Sequence, residues 1–350
     1  MTDIRNVLVI APNFKRRLSG VTSTIVQLVP VQHRLGQRVA TLGPGLPGDL
    51  PHIRFRDLWR LWKAPPEARA RIWHARRNNE MLTGIALKYV LRMPLKLLFT
   101  SAAQRHHKPF TRWMIRQMDA VVATSAGSGA FLRVPHTVIR HGVDLDLFHP
   151  PEGPADTIEA TGLPGSYLIG CFGRIRHQKG TDLFVRAMVE LLPHYPDWTA
   201  VICGRVTAEH TAFGEELRRM VERAGLTNRI VFPGEVPDVK IWYRRLSLYV
   251  APSRNEGFGL TPLEAMASRT PVIASTAGAY AEMILPGVTG EVVEAGDYDA
   301  LKAAIEPYLA DPARTARAAD AALTHVRATF ALEKEANGLA AVYGRLLRGD

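Results

Sequence analysis

The sequence is poor in cysteine. Only two occur among 350 residues, Cys171 and Cys203, and each lies near the end of a predicted buried strand. Two thiols in a chain of this length do not make a disulfide framework. We therefore interpret both as small core residues rather than as redox or metal-binding groups.

Long apolar runs are also missing. No uninterrupted stretch reaches the about 18 residues that a membrane-spanning helix needs. The opening residues, MTDIRNVLVIAP, contain an acid, an arginine and only five consecutive apolar residues before Pro12, which is not the pattern of a signal peptide. We expect a cytoplasmic protein in which any membrane contact is peripheral.

Acidic residues are scarce in one part of the chain. Overall, 44 Lys and Arg against 33 Asp and Glu give a formal net charge of +11. Residues 52–116, the basic segment, contain fifteen basic and three acidic residues and so carry the whole excess. Such a segment suggests a polyanionic partner: nucleic acid, an anionic membrane or a phosphorylated substrate. We expect no nucleic acid, because zinc-finger spacing, RNP-like aromatic patterns and basic heptads are missing.

The rest of the composition is that of a globular protein, and the length suits two domains. Two buried runs, Val7–Ile10 and Tyr167–Phe172, each lead through a Gly- or Ser-containing loop into an amphipathic helical pattern. Strands that alternate with helices predict α/β domains, with doubly wound parallel sheets covered on both faces. The expected divisions are a first Rossmann-like domain at 1–150, a linker at 151–164, a second Rossmann-like domain at 165–328 and a C-terminal helix at 329–350.

The basic segment has its own predicted elements. Met81–Met93 is predicted to form one helix with Lys88 and Arg92 on its polar side. Leu95–Phe99 and Ala120–Ala123 are predicted strands. The loop after the first strand of the chain lacks the Gly-x-Gly-x-x-Gly pattern, which argues against an NAD-linked oxidoreductase.

The strongest motif is EGFGLTPLE, which runs from Glu256 to Glu264 directly after a predicted strand. Its glycine-rich turn opens a helix, where unsatisfied backbone amides and the helix dipole favour an anion. Glu256 can reach a ligand directly, and Glu264 can accept hydrogen bonds from hydroxyls, so a diphosphate joined to two sugars suits the arrangement. The other interpretation is a tight turn with two solvated glutamates. The amides concerned belong to Gly257, Phe258, Gly259, Leu260 and Thr261.

This motif resembles the Glu-x7-Glu motif of the retaining GT-B glycosyltransferases of family 4. A second element, GRIRHQKG, resembles the family segment whose Arg and Lys hold the donor diphosphate, which here are Arg174 and Lys179. The resemblance implies two Rossmann-like domains facing a central cleft, with the C-terminal helix returning to the first. It implies a hexosyltransferase in which Glu256, Arg174 and Lys179 are catalytic, since fixed cations stabilise a departing diphosphate.

Other donor-site residues follow from the same resemblance. Gly20 matches a family glycine that follows the first strand, and Val236 lies where relatives contact the nucleobase. Arg205, after the predicted strand that ends at Cys203, can line the same pocket. The triplet DLD at 144–146 has the spacing of a metal-binding Asp-x-Asp, but its surroundings, HGVDLDLFHP, resemble the segment that ends the first domain. We therefore expect metal independence and no cofactor.

One position departs from the family. Many relatives place a histidine after a first-domain strand, whereas Thr100 or Ser101 stands there in this chain. His106 and His107 are candidate substitutes, and a solvated histidine pair is the other interpretation. The remaining acceptor or membrane candidates are cations, namely Lys15, Arg16, Arg76, Arg77, Lys88 and Arg92.

The stretch from Arg174 to Ser268 looks similar to bacterial lipopolysaccharide core mannosyltransferases. This similarity implies transfer of mannose from GDP-mannose to the inner core on lipid A, by a peripheral protein on the cytoplasmic face of the inner membrane. An anionic glycolipid in an anionic membrane also suits the basic segment. The alternative is a UDP-sugar, glucose or N-acetylglucosamine, and another glycolipid or polysaccharide. A non-enzymatic nucleic-acid or membrane-binding protein is the remote alternative.

Overall fold

A computed structural model describes residues 2–16 and 20–349 of the chain. The chain divides into two units: the first runs to Gly142 and resumes at Leu332, and the second is Val143–Ala331. Each unit is built on a parallel sheet covered by helices, which confirms the predicted α/β class. In the described part of the chain, no helix has both the length and the apolar character needed to cross a bilayer.

The sheet of the first unit is entirely parallel. Its strands lie in the spatial order β3-β2-β1-β4-β5-β6-β7, and strand β1 is buried along its whole length. This burial explains why the strand is a continuous apolar run, because helices cover both faces of such a sheet. The strands are β1 (Val9–Pro12), β2 (Val39–Leu42), β3 (His52–Ile53), β4 (Arg71–Ala75), β5 (Leu95–Ser101), β6 (Ala120–Ala123) and β7 (Thr137–Val138).

Helices cover both faces of this sheet. On one face, α1 and the C-terminal helix pack together over Val9 of β1 and Ile72 of β4, which confirms that the C-terminal helix returns to the first unit. On the other face lie three elements whose inward side chains share one core: a 3-10 helix at Phe55–Trp62, α2 and α3. The helices are α1 (Gly20–Arg34), α2 (Asn78–Ile85) followed by a π-helical turn (Ala86–Val90), α3 (Pro109–Arg116), α4 (Ala126–Ala130) and the C-terminal helix (Leu332–Arg348).

The structure of the basic segment differs from the expectation in two places. The sequence RIWHA forms β4, a central strand that was missed because Arg71 and His74 interrupt its apolar pattern. The protein buries Arg71 by letting its guanidinium donate to backbone oxygens of Ile4, Val7 and Lys63. The predicted single helix at 81–93 is instead α2 followed by the π-helical turn, and it ends before Arg92, whose φ is +52°.

The second unit has a parallel sheet in the order β10-β9-β8-β11-β12-β13. Its strands are β8 (Tyr167–Phe172), β9 (Trp198–Cys203), β10 (Ile230–Gly234), β11 (Leu248–Ala251), β12 (Val272–Ser275) and β13 (Gly290–Val293). Its helices are α5 (Thr181–Leu191), α6 (Thr211–Arg223), α7 (Val239–Arg245), α8 (Thr261–Ala267), α9 (Tyr280–Met283), α10 (Tyr298–Ala310) and α11 (Pro312–Thr329).

The boundaries between the parts differ from those expected. The first unit gives way to the second after Gly142 rather than at 150, and the C-terminal helix begins at Leu332. The expected linker, 151–164, packs on the second unit: its buried Asp156 accepts a hydrogen bond of 2.7 Å from Arg244 of α7. The composition of this stretch, rich in Pro, Gly and acids, predicts a linker. The buried ion pair of Asp156 instead makes the stretch part of the second unit.

Both cysteines are buried free thiols at the carboxyl ends of β8 and β9. Burial raises the pKa of Cys171 and of Cys203 to about 12, because a thiolate would lose its hydration there. They are therefore protonated, unreactive core residues, as the composition indicates.

Candidate functional site

The candidate site lies at the carboxyl edge of the second unit's sheet, where open α/β sheets bind ligands. Three loops are joined there by backbone hydrogen bonds. Gly173 N–H donates to the oxygen of Cys203 at 2.9 Å, and Gly204 N–H donates to the oxygen of Gly234 at 2.8 Å. The loops that follow β8, β9 and β10 therefore form one continuous rim.

Arg254 connects this rim to the loop after β11. Its guanidinium donates to both carboxylate oxygens of Asp182 at 2.7 Å and to the backbone oxygen of His177 at 2.7 Å. Its backbone N–H also donates to the oxygen of Gln178 at 2.9 Å. A two-pronged pair of this kind fixes orientation as well as distance. Sequence reasoning missed Arg254, although its position two residues before Glu256 was a usable signal.

Gly180, at the start of α5, allows the same two loops to touch. Its φ is +68°, and a Cβ placed there would lie 1.9 Å from the backbone oxygen of Pro252. Only glycine permits both the left-handed backbone and this close approach. The contact sets Lys179, the preceding residue, beside Glu256.

The structure brings the three predicted catalytic residues together. Lys179 Nζ forms an ion pair with Glu256 Oε2, and both side chains are about one-fifth exposed. Arg174, which follows β8, is exposed and lines the same cavity as Lys179, together with Thr181, Ser253 and Thr261. Two cations and a carboxylate thus meet at one opening of the sheet edge.

The turn from Glu256 to Thr261 is shaped by Gly259. Its φ is +83°, and a Cβ would lie 2.3 Å from the ring of Tyr280. The side chain of Phe258 is buried, and its backbone oxygen accepts a hydrogen bond from Ala279 N–H at 3.1 Å. Gly257 is exposed, and Leu260 and Thr261 are partly exposed. Because α8 contains only seven residues, we assign the attraction for an anion chiefly to Arg174 and Lys179.

Glu264, one turn into α8, lies in a poorly hydrated position. Burial raises its pKa to about 7, although a hydrogen bond from the Tyr243 hydroxyl at 2.9 Å and the nearby charge of Lys179 oppose the rise. The carboxyl therefore changes its charge near neutral pH. When ionised, both carboxylate oxygens can accept hydrogen bonds from a ligand; when protonated, one of them carries an O–H donor instead.

The two predicted nucleobase contacts lie on adjacent loops. Arg205 follows β9 with 45% of its side chain exposed, and its guanidinium is 3.8 Å from the carboxylate of Glu235. Val236, next to Glu235, is partly buried in the loop after β10. These loops belong to the same rim as Gly173, so both residues stay candidates for base recognition.

In the first unit, the candidate glycine begins a helix. Gly20 is the first residue of α1, and a Cβ there would meet no atom within 4 Å, so space alone does not require glycine. Lys15 and Arg16 are exposed in the preceding loop. Residues 17–19 lie outside the described residues.

The acceptor role expected of Arg77 is wrong. We expected it to offer its charge to an acceptor, but its guanidinium donates to Asn13 Oδ1 at 2.7 Å, Glu80 Oε1 at 2.8 Å and Thr22 Oγ1 at 2.9 Å. Glu80 is fully buried and depends on this cation. Arg77 is therefore a structural residue that ties α1 and α2 to the end of β1.

The same role expected of Lys88 is wrong for the same reason: its charge is already paired. Its ammonium donates to Asp119 at 2.6 Å and 2.7 Å, with both side chains about four-fifths covered. Arg76 is partly buried and donates to the backbone oxygen of His74 at 3.3 Å. Among the four cations selected within the basic segment, Arg92 is exposed.

The two histidine candidates differ. His106 is exposed and packs edge-on against Phe131, with ring centroids 5.1 Å apart. His107 is partly buried, 3.4 Å from the Ser101 hydroxyl, and burial together with Arg105 lowers its pKa. The His107 ring is therefore neutral near pH 7.

A histidine that sequence reasoning missed pairs with Thr100. His74, fully buried in β4, has Nε2 2.7 Å from Thr100 Oγ1 and Nδ1 2.8 Å from the hydroxyl of Tyr343 in the C-terminal helix. Burial holds its pKa well below the ordinary value, so the ring is neutral. Its visible role is to join β4, β5 and the C-terminal helix. The missed strand β4 concealed it.

The DLD triplet serves the backbone. Asp144 is buried, and its Oδ1 accepts hydrogen bonds from the N–H groups of Asp146 at 3.0 Å and Leu147 at 3.2 Å. This is a turn-forming use of the carboxylate. Within 2–16 and 20–349, no group of three or more His, Cys, Asp or Glu side chains is arranged to hold a metal ion.

Comparison with known proteins agrees with this geometry. Residues 156–325 match the model of the glycosyl transferases group 1. The chain is 68% identical over its full length to the lipopolysaccharide core biosynthesis mannosyltransferase LpcC of Rhizobium leguminosarum bv. viciae, covering 99% of that protein. It is 53% identical to LpsB of Rhizobium meliloti, named as the same kind of mannosyltransferase, over 99% of this chain and 100% of that one.

A solved structure shows the same fold. A glycosyltransferase from Rickettsia africae, 21% identical, superposes with a TM-score of 0.83 over 99% of this chain and 100% of that one. The motif residues, the two parallel sheets and the full-length similarity to LpcC and LpsB point to one family. The chain is a GT-B glycosyltransferase of group 1, and it belongs to the family of lipopolysaccharide core biosynthesis mannosyltransferases.

Proposed function

We propose that the protein transfers mannose from GDP-mannose to the inner core of lipopolysaccharide, on the sugar acid linked to lipid A. The observation that carries this proposal is the meeting of Arg174, Lys179 and Glu256 at one sheet edge, in a chain 68% identical to a lipopolysaccharide core mannosyltransferase. The cations suit a diphosphate, and the carboxylate suits the sugar attached to it.

The cations act on the leaving group. As the bond between the sugar and the phosphate breaks, negative charge grows on the departing nucleoside diphosphate, and Arg174 and Lys179 stabilise it. Lys179 already donates to Glu256, so a bound diphosphate competes for the same ammonium group. Donor binding then releases Glu256 to position the sugar, while Glu264 accepts hydrogen bonds from the nucleotide ribose.

The transfer retains the configuration of the anomeric carbon. The acceptor hydroxyl attacks from the face that the diphosphate leaves. The bond between the anomeric carbon and the diphosphate oxygen breaks as the new glycosidic bond forms. The hydroxyl proton passes to an oxygen of the leaving diphosphate, so no protein base is required. Because fixed cations stabilise the diphosphate, we propose that the reaction needs neither a metal nor another cofactor.

The acceptor is an anionic glycolipid, which the protein meets as a peripheral protein at the cytoplasmic face of the inner membrane. The cations of the basic segment support this proposal, since a juxtamembrane Lys or Arg contributes about 1 kcal/mol of attraction to an anionic surface. Arg92, Lys15 and Arg16 are exposed and suit such a role. Arg77 and Lys88 do not, because their charges are used within the first unit.

The test is direct transfer by the purified protein. A panel of GDP- and UDP-sugars is incubated with deacylated or complete lipopolysaccharide core acceptors, with and without EDTA, and the products are identified by mass spectrometry and NMR. We expect transfer from GDP-mannose, an axial anomeric bond as in the donor, and no effect of EDTA. Transfer from a UDP-sugar alone would show that GDP-mannose is not the donor. Complete loss of transfer activity with EDTA would show that the reaction needs a metal.

A further inference from the structure

The outer surface of the first unit is unusually apolar. Six large side chains that point away from the sheet are about half exposed or more: Trp59, Trp62, Tyr89, Val90, Phe110 and Trp113, here called the aromatic face. Val90 is 75% exposed and Trp59 is 61% exposed. Soluble monomers rarely display so large a set of apolar groups on one surface without a binding role.

The aromatic face belongs to one layer of helices. The inward side chains of its elements, including Leu61, Met81 and Met114, share a single core beneath them. Since those side chains point to the sheet, the side chains on the opposite side of the same helices form the outer surface. The face is therefore a property of the layer rather than of one loop.

Hydrogen bonds hold the elements of the layer in register. The indole N–H of Trp62 donates to the backbone oxygen of Leu91 at 2.7 Å, joining the 3-10 helix to the end of the π-helical turn. The side chain of Asn78 donates to Thr111 Oγ1 at 2.8 Å, joining α2 to α3. The aromatic face is thus pre-arranged, and little ordering is needed when it binds.

Cations surround the aromatic face. The guanidinium of Arg60 lies 5.4 Å from the Trp59 ring centroid. Exposed cations on the same helices and their ends include Arg60, Lys63, Arg92, Lys108 and Arg116. The acids nearby already have partners: Asp57 is paired with Arg54, and Asp119 with Lys88.

We infer that the aromatic face docks on an anionic lipid bilayer, with Trp59, Trp62 and Val90 entering the boundary between head groups and acyl chains. Tryptophan and tyrosine favour that boundary, and cations beside them meet lipid phosphates. A second copy of the chain suits the face poorly, because a symmetric interface would set its cations against one another. This inference rests on the proposed membrane-resident acceptor and adds the surface and the manner of contact.

The experiment compares vesicle binding by the full chain and three variants. The first variant, Trp59→Ser/Trp62→Ser/Val90→Ser, removes apolar groups. The second, Arg60→Gln/Lys63→Gln/Arg116→Gln, removes charge. The matched control is Leu285→Ser/Val288→Ser, which removes two exposed apolar side chains of the second unit. Binding is measured by co-sedimentation and by quenching of tryptophan fluorescence with brominated lipids.

We expect the wild type and the control to bind vesicles with about 30% anionic lipid and to bind neutral vesicles weakly. The apolar variant should bind at least about tenfold more weakly at every salt concentration, and its quenching should disappear. The charge variant should lose binding mainly at low salt, and should match the wild type at about 0.5 M salt, where surface charges are screened.

Several results would overturn the inference. They are absent binding by the wild type, unchanged binding by the apolar variant, or self-association in solution that this variant abolishes. Unchanged circular dichroism and thermal midpoints establish that the variants fold. Turnover of a water-soluble deacylated acceptor by the apolar variant should equal that of the wild type. If neither protein transfers mannose while vesicle binding follows the expected pattern, the proposed function fails and the docking surface stands.

Discussion

Both units are parallel sheets covered by helices, yet their surfaces differ. In the first unit, nine exposed large apolar side chains lie within the basic segment, and five of these are tryptophan or phenylalanine. In the described second unit such side chains are three aliphatic ones, Leu147, Leu285 and Val288. The same architecture therefore carries an amphipathic outer surface in one unit and an ordinary polar surface in the other.

Cations differ in the purpose they serve. Arg71 and Arg77 of the first unit and Arg244 of the second are drawn inward to satisfy backbone oxygens or a buried carboxylate. In the second, Arg174 and Lys179 stand at the sheet edge, and Arg254 holds their loops in place. A net charge thus says little until each cation has been assigned to the interior, the site or the surface.

The strongest test of this difference is Arg77→Ala. It should lower the free energy of unfolding by about 3–5 kcal/mol, because Glu80 would remain buried without its cation. Chemical denaturation measures the change, and Arg92→Ala, which alters an exposed cation, is the control. Arg77→Ala/Glu80→Gln should recover part of the loss. An Arg77→Ala protein of wild-type stability that binds acceptor poorly would return Arg77 to the surface role.

Lys179→Ala should affect the chemistry of the second unit without affecting its fold. We expect kcat to fall about 100- to 1000-fold at saturating donor, because one cation that stabilises the leaving diphosphate is lost. Steady-state release of GDP measures this. Lys302→Ala, which breaks an exposed ion pair with Glu190, should be nearly silent. Near-wild-type turnover by Lys179→Ala would remove the residue from the catalytic machinery.

Glu264→Gln tests the buried carboxyl. The pKa of Glu264 lies near 7 in the folded protein, above the ordinary 4.5. The folded wild type therefore binds the carboxyl proton more tightly than the unfolded chain does, and its stability falls as the pH rises from 4.5 to about 7. The variant should therefore be more stable than the wild type at pH about 8, by about 3 kcal/mol, and equal to it below pH about 4.5. Thermal unfolding across this range, with exposed Glu209→Gln as the control, measures the difference. A difference that does not vary with pH would show that Glu264 is not the titrating group.

Arg205→Ala should have the smallest effect. Because the side chain is about half exposed and its ion pair with Glu235 is 3.8 Å long, we expect the donor KM to rise about two- to fivefold with kcat unchanged. Measuring KM with GDP- and UDP-sugars shows whether the change concerns the base. A large fall in kcat would instead place Arg205 near the reacting atoms.

Patterns that depend on neighbouring residues were predicted well. The runs YLIGCF of β8 and AVVA of β6 were predicted as strands and are strands, because a local apolar run reflects burial on both faces of a sheet. The motif EGFGLTPLE likewise marked a turn and a helix start. Strand β4 escaped because its burial depends on partners far along the chain, Val7 for Arg71 and Tyr343 for His74.

The site was predictable in part for the same reason. Arg174, Lys179 and Glu256 belong to short motifs, so they could be named before their contact was known. Arg254 lies two residues before a motif, which marks it as a candidate, but its contacts with Asp182 and His177 are seen only in the tertiary structure. Arg77 and Lys88 look identical to surface cations in the sequence, since nothing local announces Asn13 or Asp119 as partners.

The sequence by itself determined the α/β class, the two nucleotide-binding-type sheets, the motif residues of the donor site and the segment that carries the excess charge. Only the tertiary structure decided which of those charges are available, where the units divide, and that apolar side chains of separate helices form one surface. The physical reason is range: a backbone pattern is set by adjacent residues, whereas the state of a charge or an exposed aromatic ring is set by whatever the fold brings against it.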